Sequence, residues 1–429
     1  MLDHEVEPTG YSAGGPSGFS SRRGALDHAR FDLERLIQPV TLESFISYYW
    51  EKRPLIIARQ EPSYHERLLT LADVDHILAH SSIRSSEIRI VRNGQDTPLS
   101  SLTAEGANLS EGSLEALYQE YRDGSTIVLL FLQERWPALK HLCRSIATEL
   151  SAGVQVNVYL TPPGERALPI HYDTHDVFVL QTHGSKRWRI YDSPFPLPLP
   201  EHPYRARPNS DPGEPLSELT LEPGDIIYIP RGYLHDAASL ESTSLHLTVG
   251  IKPITWSSVL HETIRWVTER DPVWRESLPP GFAMNERLRN ECETRLGELL
   301  ASVGNQIERK SAIEDAMNKA LLAAYPSLEQ HLLDLEDERS LSLVTSLQRR
   351  EDIPWQLTAD DEYVHLRFHG KVIRMPADLE RDLRFISDAE QFTAHDLPGE
   401  LDLPGRLVLL RRLLREGFLT VVPTCRLSS

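Results

Sequence analysis

The chain has 429 residues, 40% hydrophobic and 25% charged, and its 63 Asp and Glu against 45 Lys and Arg leave a net charge of -18. At about 150 residues per domain this is room for two or three domains, one with a core large enough for an enzyme, and the acidic balance argues against a chain that wraps nucleic acid globally. Cys143, Cys292 and Cys425 are too scattered for a disulfide framework or a zinc knuckle; the absence of any long apolar run or apolar leader stretch gives the expectation of a cytoplasmic protein with no membrane partner.

Residues 1–30 are rich in Gly, Ser and Pro and show no periodic apolar face, which predicts a disordered tail. Thr41 suits the N-cap of a helix over LESFISYYWEKR, and Pro54 opens a strand-like PLIIAR. Between about 150 and 252, the runs VQVNVYL, DVFVLQT, KRWRIYD, DIIYIP and SLHLTVGI are separated by Pro and Gly turns, a spacing that suggests an antiparallel sandwich or barrel. The proline-rich stretch 192–215 reads as a long loop and a candidate lid. Residues 256–345 carry helical periodicity and are expected to pack within the chain or between protomers. Over 346–429, a hairpin-like YVHLRFHGKVIRMP, short helices, and the helix RLVLLRRLLREG leading into FLTVVP fit a small winged-helix domain.

Side chains two apart share a strand face. In VQVNVYL the valines take one face and Gln155, Asn157 and Tyr159 the other; in LHLTVG, Leu245, Leu247 and Val249 oppose His246, Thr248 and Gly250. Such polar faces are either ordinary exposed surface or the lining of a polar cavity. His171 and Asp173 also share a face if the chain is extended there, presenting an imidazole and a carboxylate to one point, two thirds of a facial triad that leaves three positions of an octahedral Fe(II) open. The His-x-Asp triplet is weak alone, since a few His-x-acid triplets are expected by chance in a chain this rich in both. More telling is GDIIYIPRGYLH downstream, in which Gly224, Pro230, Gly232 and His235 form a turn, a strand, a rigid corner and an imidazole at its exit. The bland reading is a strand and turn with an exposed histidine; the pairing with the upstream triplet favours a ligand.

The segment from NVYLTPP through HYDTHDVFVLQTHGSKRW to LEPGDIIYIPRGYLHDA and SLHLTVG resembles the JmjC-type cupin oxygenases, in particular their ribosomal oxygenase branch. The resemblance covers about a third of the chain. It implies an α+β fold: a double-stranded β-helix (jelly roll, cupin) core over 31–255, a helical dimerisation region over 256–345 and a C-terminal winged helix over 346–429. It makes His171, Asp173 and His235 the ligands of Fe(II), and Lys186 the residue that pairs with the distal carboxylate of 2-oxoglutarate. Asn157, Tyr159 and Thr248 match positions lining the co-substrate and substrate pocket, with Tyr159 grouped among the catalytic residues and Asn157 and Thr248 with the co-substrate. These positions coincide with the polar strand faces and so favour the cavity over exposed surface.

His175 matches no ligand position of that family and is expected near the metal or facing substrate; His183 is expected exposed in a turn; His246 fits either a pocket residue or a hydrogen-bonded core histidine. Gly250 departs from the pattern, since some relatives carry a pocket Ser there. The implied activity is an O2-consuming Fe(II)- and 2-oxoglutarate-dependent hydroxylation of a protein or peptide side chain, with Arg or His of a ribosomal protein as the family's substrate and a homodimer as its assembly. The competing readings are a hydroxylase tailoring a peptide natural product, an N-methyl-lysine demethylase, and a non-catalytic cupin binding module whose winged helix contacts nucleic acid through Arg406, Arg411, Arg412 and Arg415. A solvated amphipathic helix is the plainer account of those arginines.

Overall fold

The computed structural model describes residues 31–92, 94–97, 106–166, 168–205, 212–306, 309–323, 328–350 and 353–422; the tail expected over 1–30, and 206–211 within the proline-rich stretch, lie outside them. The first part of the chain is helical with short strands between: α1 (Leu33–Ile37), α2 (Leu42–Tyr48), β1 (Leu55–Ile57), α3 (Leu71–His80), β2 (Ile88–Arg92), β3 (Gln95–Thr97), α4 (Glu111–Arg122), β4 (Thr126–Leu129) and α5 (Pro137–Leu150). Thr41 caps α2 by accepting from the Ser44 N–H, as a hydroxyl at an N-cap does for an otherwise unpaired helix amide. The helix stops at Tyr48, short of the Arg53 that its periodicity suggests, because Glu51 turns left-handed at φ 57°. Lys52 and Arg53 then donate to the freed carbonyls of Ser47 and Tyr48, basic side chains closing a helix C-terminus.

Seven strands follow: β5 (Ala152–Thr161), β6 (Asp176–His183), β7 (Lys186–Ile190), β8 (Ser217–Leu221), β9 (Ile226–Ile229), β10 (His235–Ser239) and β11 (Ser244–Pro253). Two antiparallel sheets result, ordered β1-β9-β6-β11-β5-β4-β2-β3 and β10-β7-β8. They form a jelly-roll core. The alternation along the central strands decides what lies where. Val154, Val156 and Val158 of β5, Phe178 and Leu180 of β6, and Leu245, Leu247, Val249 and Ile251 of β11 join one buried cluster with Leu139, Leu142 and Ile146 of α5 and with α1 to α3. The apolar faces of β5 and β11, and one face of β6, therefore turn outward, towards a covering layer of helices. Between the sheets a second, smaller apolar cluster of Val177, Val179, Trp188, Ile190, Leu221, Ile227 and Ile229 closes one part of the interior, and the polar faces of β5 and β11 occupy the rest.

Beyond β11 come α6 (Trp256–Arg270), α7 (Glu286–Gln306), α8 (Arg309–Ala323) and α9 (His331–Asp337), then β12 (Leu347–Arg349), β13 (Trp355–Ala359), β14 (Tyr363–Phe368), β15 (Lys371–Pro376), α10 (Glu380–Asp388), α11 (Leu403–Arg415) and β16 (Leu419–Val421). β13, β14 and β15 make a meander, and β12 pairs with β16. His369 and Gly370, at φ 50° and 73°, form the two-residue turn of the β14–β15 hairpin, with the backbone twist that such tight hairpins require. This last part has its own core, including Leu366, Phe368, Leu383, Leu410, Leu413 and Phe418. Among the described residues, no helix is long and apolar enough to cross a membrane.

Candidate active site

The segment that carries His171 and Asp173 runs from β5 to β6 outside any regular strand. His171 makes a single antiparallel bridge with His235: each N–H donates to the other's carbonyl, at 3.1 and 2.8 Å, and the Gly232 N–H donates to the Asp173 carbonyl at 3.0 Å. The extended strand on which His171 and Asp173 would share a face is not formed, since a bridge and a loop take its place. The bridge nonetheless brings the two segments together, so that one ligand atom each from His171, Asp173 and His235 lie within 4.8 Å of one another. Gly232, at φ 92°, makes the corner possible. A Cβ there would stand 2.5 Å from the Phe195 carbonyl oxygen and 2.8 Å from Ser193 Oγ, so part of the proline-rich stretch packs against the turn that aims His235.

Both imidazoles are oriented for coordination. His171 Nδ1 lies 2.8 Å from the Pro169 carbonyl and His235 Nδ1 lies 3.1 Å from the Tyr233 carbonyl. A carbonyl can only accept, so each Nδ1 carries the proton and each Nε2 keeps a lone pair for a metal, the usual arrangement of a metal-binding histidine. Burial, and then the neighbouring His171, push His235 down to about 4, which keeps it neutral. For Asp173, burial alone would raise the carboxyl, but His175, His235 and His171 together hold it below the ordinary carboxylate range. Two neutral imidazoles and one carboxylate form a donor set that matches Fe(II) with open positions.

Behind the triad the polar faces of β5 and β11 continue inward in register: Thr248 opposite Asn157, His246 opposite Tyr159, Ser244 opposite Thr161. The His246 and Tyr159 rings stack at 4.8 Å, and Trp188 of β7 meets His246 edge-on at 5.6 Å. At the inner end Lys186 is 2% exposed and donates to Thr161 Oγ1 at 3.1 Å. Burial pushes its ammonium down to about 7, and pushes the Tyr159 phenol up to about 12. His246, pushed well down by burial and by Lys186, is neutral; its Nδ1 and the Trp188 Nε1 are buried without hydrogen-bond partners. A buried cation beside unsatisfied polar atoms, a few residues along the strands from a three-ligand cluster, fits an anionic co-substrate that reaches from the metal to Lys186.

The remaining residues sort clearly. Asn157 accepts from the Phe131 N–H at 3.2 Å through Oδ1, which leaves its amide NH2 for the interior. His175 packs on Gly250, where a Cβ would meet its Cδ2 at 2.6 Å. His183 ends β6 and is exposed. Sequence reasoning passed over Thr161 and Trp188, although Thr161 continues the Asn157 and Tyr159 period of two and Trp188 that of Lys186. Of the arginines on α11, Arg406 donates to the carbonyls of Leu401, Ala394, His395 and Gly399, Arg411 to that of Leu341, and Arg415 pairs with Glu338, so three of the four are engaged within the chain.

Residues 130–259 match the JmjC domain family. The chain is 32% identical to ribosomal oxygenase 1 of Gallus gallus over 278 residues, 62% of this chain and 45% of that protein. It is 28% identical to ribosomal oxygenase 2 of Rattus norvegicus over 302 residues, 67% of this chain and 62% of that protein. With the bifunctional lysine-specific demethylase and histidyl-hydroxylase NO66 of Dictyostelium discoideum it shares 28% identity over 79% of this chain and 69% of that one. The first two alignments thus span less than two thirds of the relatives' own lengths. The crystal structure of E. coli ycfD superposes with a TM-score of 0.52 and 18% identity over 90% of this chain and 99% of that one, a likeness of fold. Residues 130–259, the part that matches the JmjC domain family, thus hold most of the jelly-roll interior, the triad and Lys186.

Proposed function

We propose that the chain is an Fe(II)- and 2-oxoglutarate-dependent oxygenase that hydroxylates a protein or peptide side chain, with an Arg or His of a ribosomal protein as its substrate and the cytoplasm as its compartment. The observation that carries this reading is the pairing of the His171, Asp173 and His235 cluster with a buried Lys186 that meets no carboxylate among the described residues, on the same polar interior. When bound there, Fe(II) with 2-oxoglutarate and O2 supplies oxidative decarboxylation coupled to insertion of oxygen into a C–H bond. The chain's own residues do the rest. The carbonyls of Pro169 and Tyr233 hold the two Nδ1 protons and so keep both Nε2 atoms facing the metal. Lys186, protonated and anchored by Thr161, fixes the distal carboxylate by a charge-assisted bond. Asn157, Tyr159 and Thr248 line the space between, where the Tyr159 and His246 rings stack and Trp188 meets His246 edge-on.

Names of relatives support the substrate class, as does an acidic chain meeting a basic ribosomal protein. A demethylase reading uses the same ligands, and the name of the Dictyostelium relative keeps it as the second candidate. The winged-helix assignment and a homodimer through α6 to α8 also belong to this proposal; what supports the dimer is exposed apolar surface at Trp256, Leu260, Ile264, Leu296, Leu300 and Ile313. Sedimentation as a monomer at micromolar concentration would count against the dimer.

The decisive experiment is anaerobic titration of metal-free protein with Fe(II) and 2-oxoglutarate. A visible charge-transfer band that weakens in Lys186→Ala is expected, followed by a mass gain of one oxygen on a ribosomal protein. A folded, iron-loaded protein without the band would remove the oxygenase reading.

A further inference from the structure

The triad is assembled from two chain segments that share few ladder bonds, which raises the question of what else fixes their separation. Asp176, three residues past Asp173, and Arg231, four before His235, answer it. Asp176 is fully buried, and its Oδ1 accepts from the Tyr228 hydroxyl at 2.9 Å and the Arg231 N–H at 3.3 Å, while its Oδ2 accepts from Arg231 Nη1 at 2.8 Å. Arg231 Nη1 also donates to Glu51 Oε1 at 2.6 Å, and the Glu51 N–H donates to the Tyr228 hydroxyl at 2.9 Å. The bonds close a ring through four residues: Asp176, Tyr228, Glu51, Arg231 and back. Its four anchor points are the start of β6, strand β9, the corner before β10 and the left-handed turn after α2.

We propose that this ring is the positioning device of the metal centre, with Asp176 and Arg231 as positioning residues that lock the His171–Asp173 segment against the His235 corner, and Glu51 extending the lock to the N-terminal helices. The inference rests on the metal-site reading given above. A buried ion pair is weak ground for stability alone, because desolvation offsets much of the attraction, whereas a closed network with every member bonded specifies one arrangement of the segments it joins. Its position is what ties it to the metal: two of its corners sit on the two segments that donate the ligands.

Co(II) alone is the probe, with affinity measured by chelator competition and geometry by its visible absorption bands. Asp176→Asn keeps the shape but removes the charge that holds Arg231, and is expected to weaken Co(II) binding about 10- to 100-fold, as loss of a supporting partner does at other metal sites, and to alter the bands. Glu51→Gln, at the partly exposed corner, is expected to give a smaller, several-fold loss. Asp334→Asn breaks the buried ion pair with Arg350 in the C-terminal part and serves as the control, lowering thermal stability with Co(II) affinity unchanged. Should Asp176→Asn not fold, Glu51→Gln decides. Variants that bind Co(II) within twofold of wild type with unchanged bands would overturn the positioning role and leave the metal reading standing. A wild-type protein with no Co(II) binding dependent on His171 would instead remove the metal reading itself.

Discussion

His175 lies directly against Gly250: a Cβ on that glycine would stand 2.6 Å from the imidazole Cδ2 and 2.7 Å from its Nε2. The two positions are one packing unit, with the histidine filling the space that the glycine leaves. Gly250→Ser should therefore displace His175 and cost about 1–3 kcal/mol, the range of an overpacked site, while the same substitution in a His175→Ala background should be tolerated. A denaturation double-mutant cycle reads the coupling, expected at about 1 kcal/mol or more; additive effects would show that the imidazole yields freely.

Lys186 gives a pH dependence with a definite sign. Burial pushes its ammonium down to about 7, and a bound carboxylate favours the charged form. Affinity for 2-oxoglutarate should be level below pH 7 and fall as the pH rises above it, by up to about tenfold per unit. Lys186→Ala should bind weakly and without this slope. The same depressed value makes the unfolded chain hold more protons between pH 7 and the ordinary lysine range, so this group's contribution to stability rises with pH across that window. Calorimetric titration from pH 6.5 to 8.5 checks the first, and a flat affinity would exclude Lys186 as the anion's partner.

His171→Ala should abolish metal-dependent turnover while leaving the fold intact, because His171 is only partly buried in a loop and belongs to none of the apolar clusters. Circular dichroism with a melting temperature close to wild type, alongside loss of succinate formation, is the expected pair of results. Retained turnover would remove His171 from the site.

Adjacent residues of β11 should separate stability from chemistry. Leu247 is fully buried against the helical layer, so Leu247→Ala should cost about 2–5 kcal/mol with little change in co-substrate affinity. Thr248 faces the interior opposite Asn157, so Thr248→Val should change 2-oxoglutarate binding with little loss of stability. Chemical denaturation and titration of both variants test the pair; a reversed pattern would mean that the strand faces the other way.

That last contrast shows where sequence reading succeeds and stops. A period of two placed Asn157 with Tyr159 and Leu245 with Leu247, but it cannot say which face of a strand is inside. The answer comes from helices α1 to α5, whose covering layer takes the apolar faces and leaves the polar ones to line the cavity; only α2 among them was read from local signals. The spacing from His171 to Asp173 and the Gly-Pro-Gly corner before His235 were legible because both are local. The stacking of His246 on Tyr159, the fit of His175 to Gly250 and the ring from Asp176 to Glu51 were not, since each joins residues distant in sequence.

Because β5 and β11 turn their apolar faces away from the cavity, the residues that hold the fold together and those that meet a ligand form two nearly separate sets on these two strands. Substitutions at the inward positions of β5 and β11 can then accumulate without eroding the core, and the interior can be refitted to a different side chain on an unchanged scaffold. Such a protein has room to change what it acts on, and the natural starting points for redesign are Gln155, Asn157 and Thr248 rather than any residue beneath the helices.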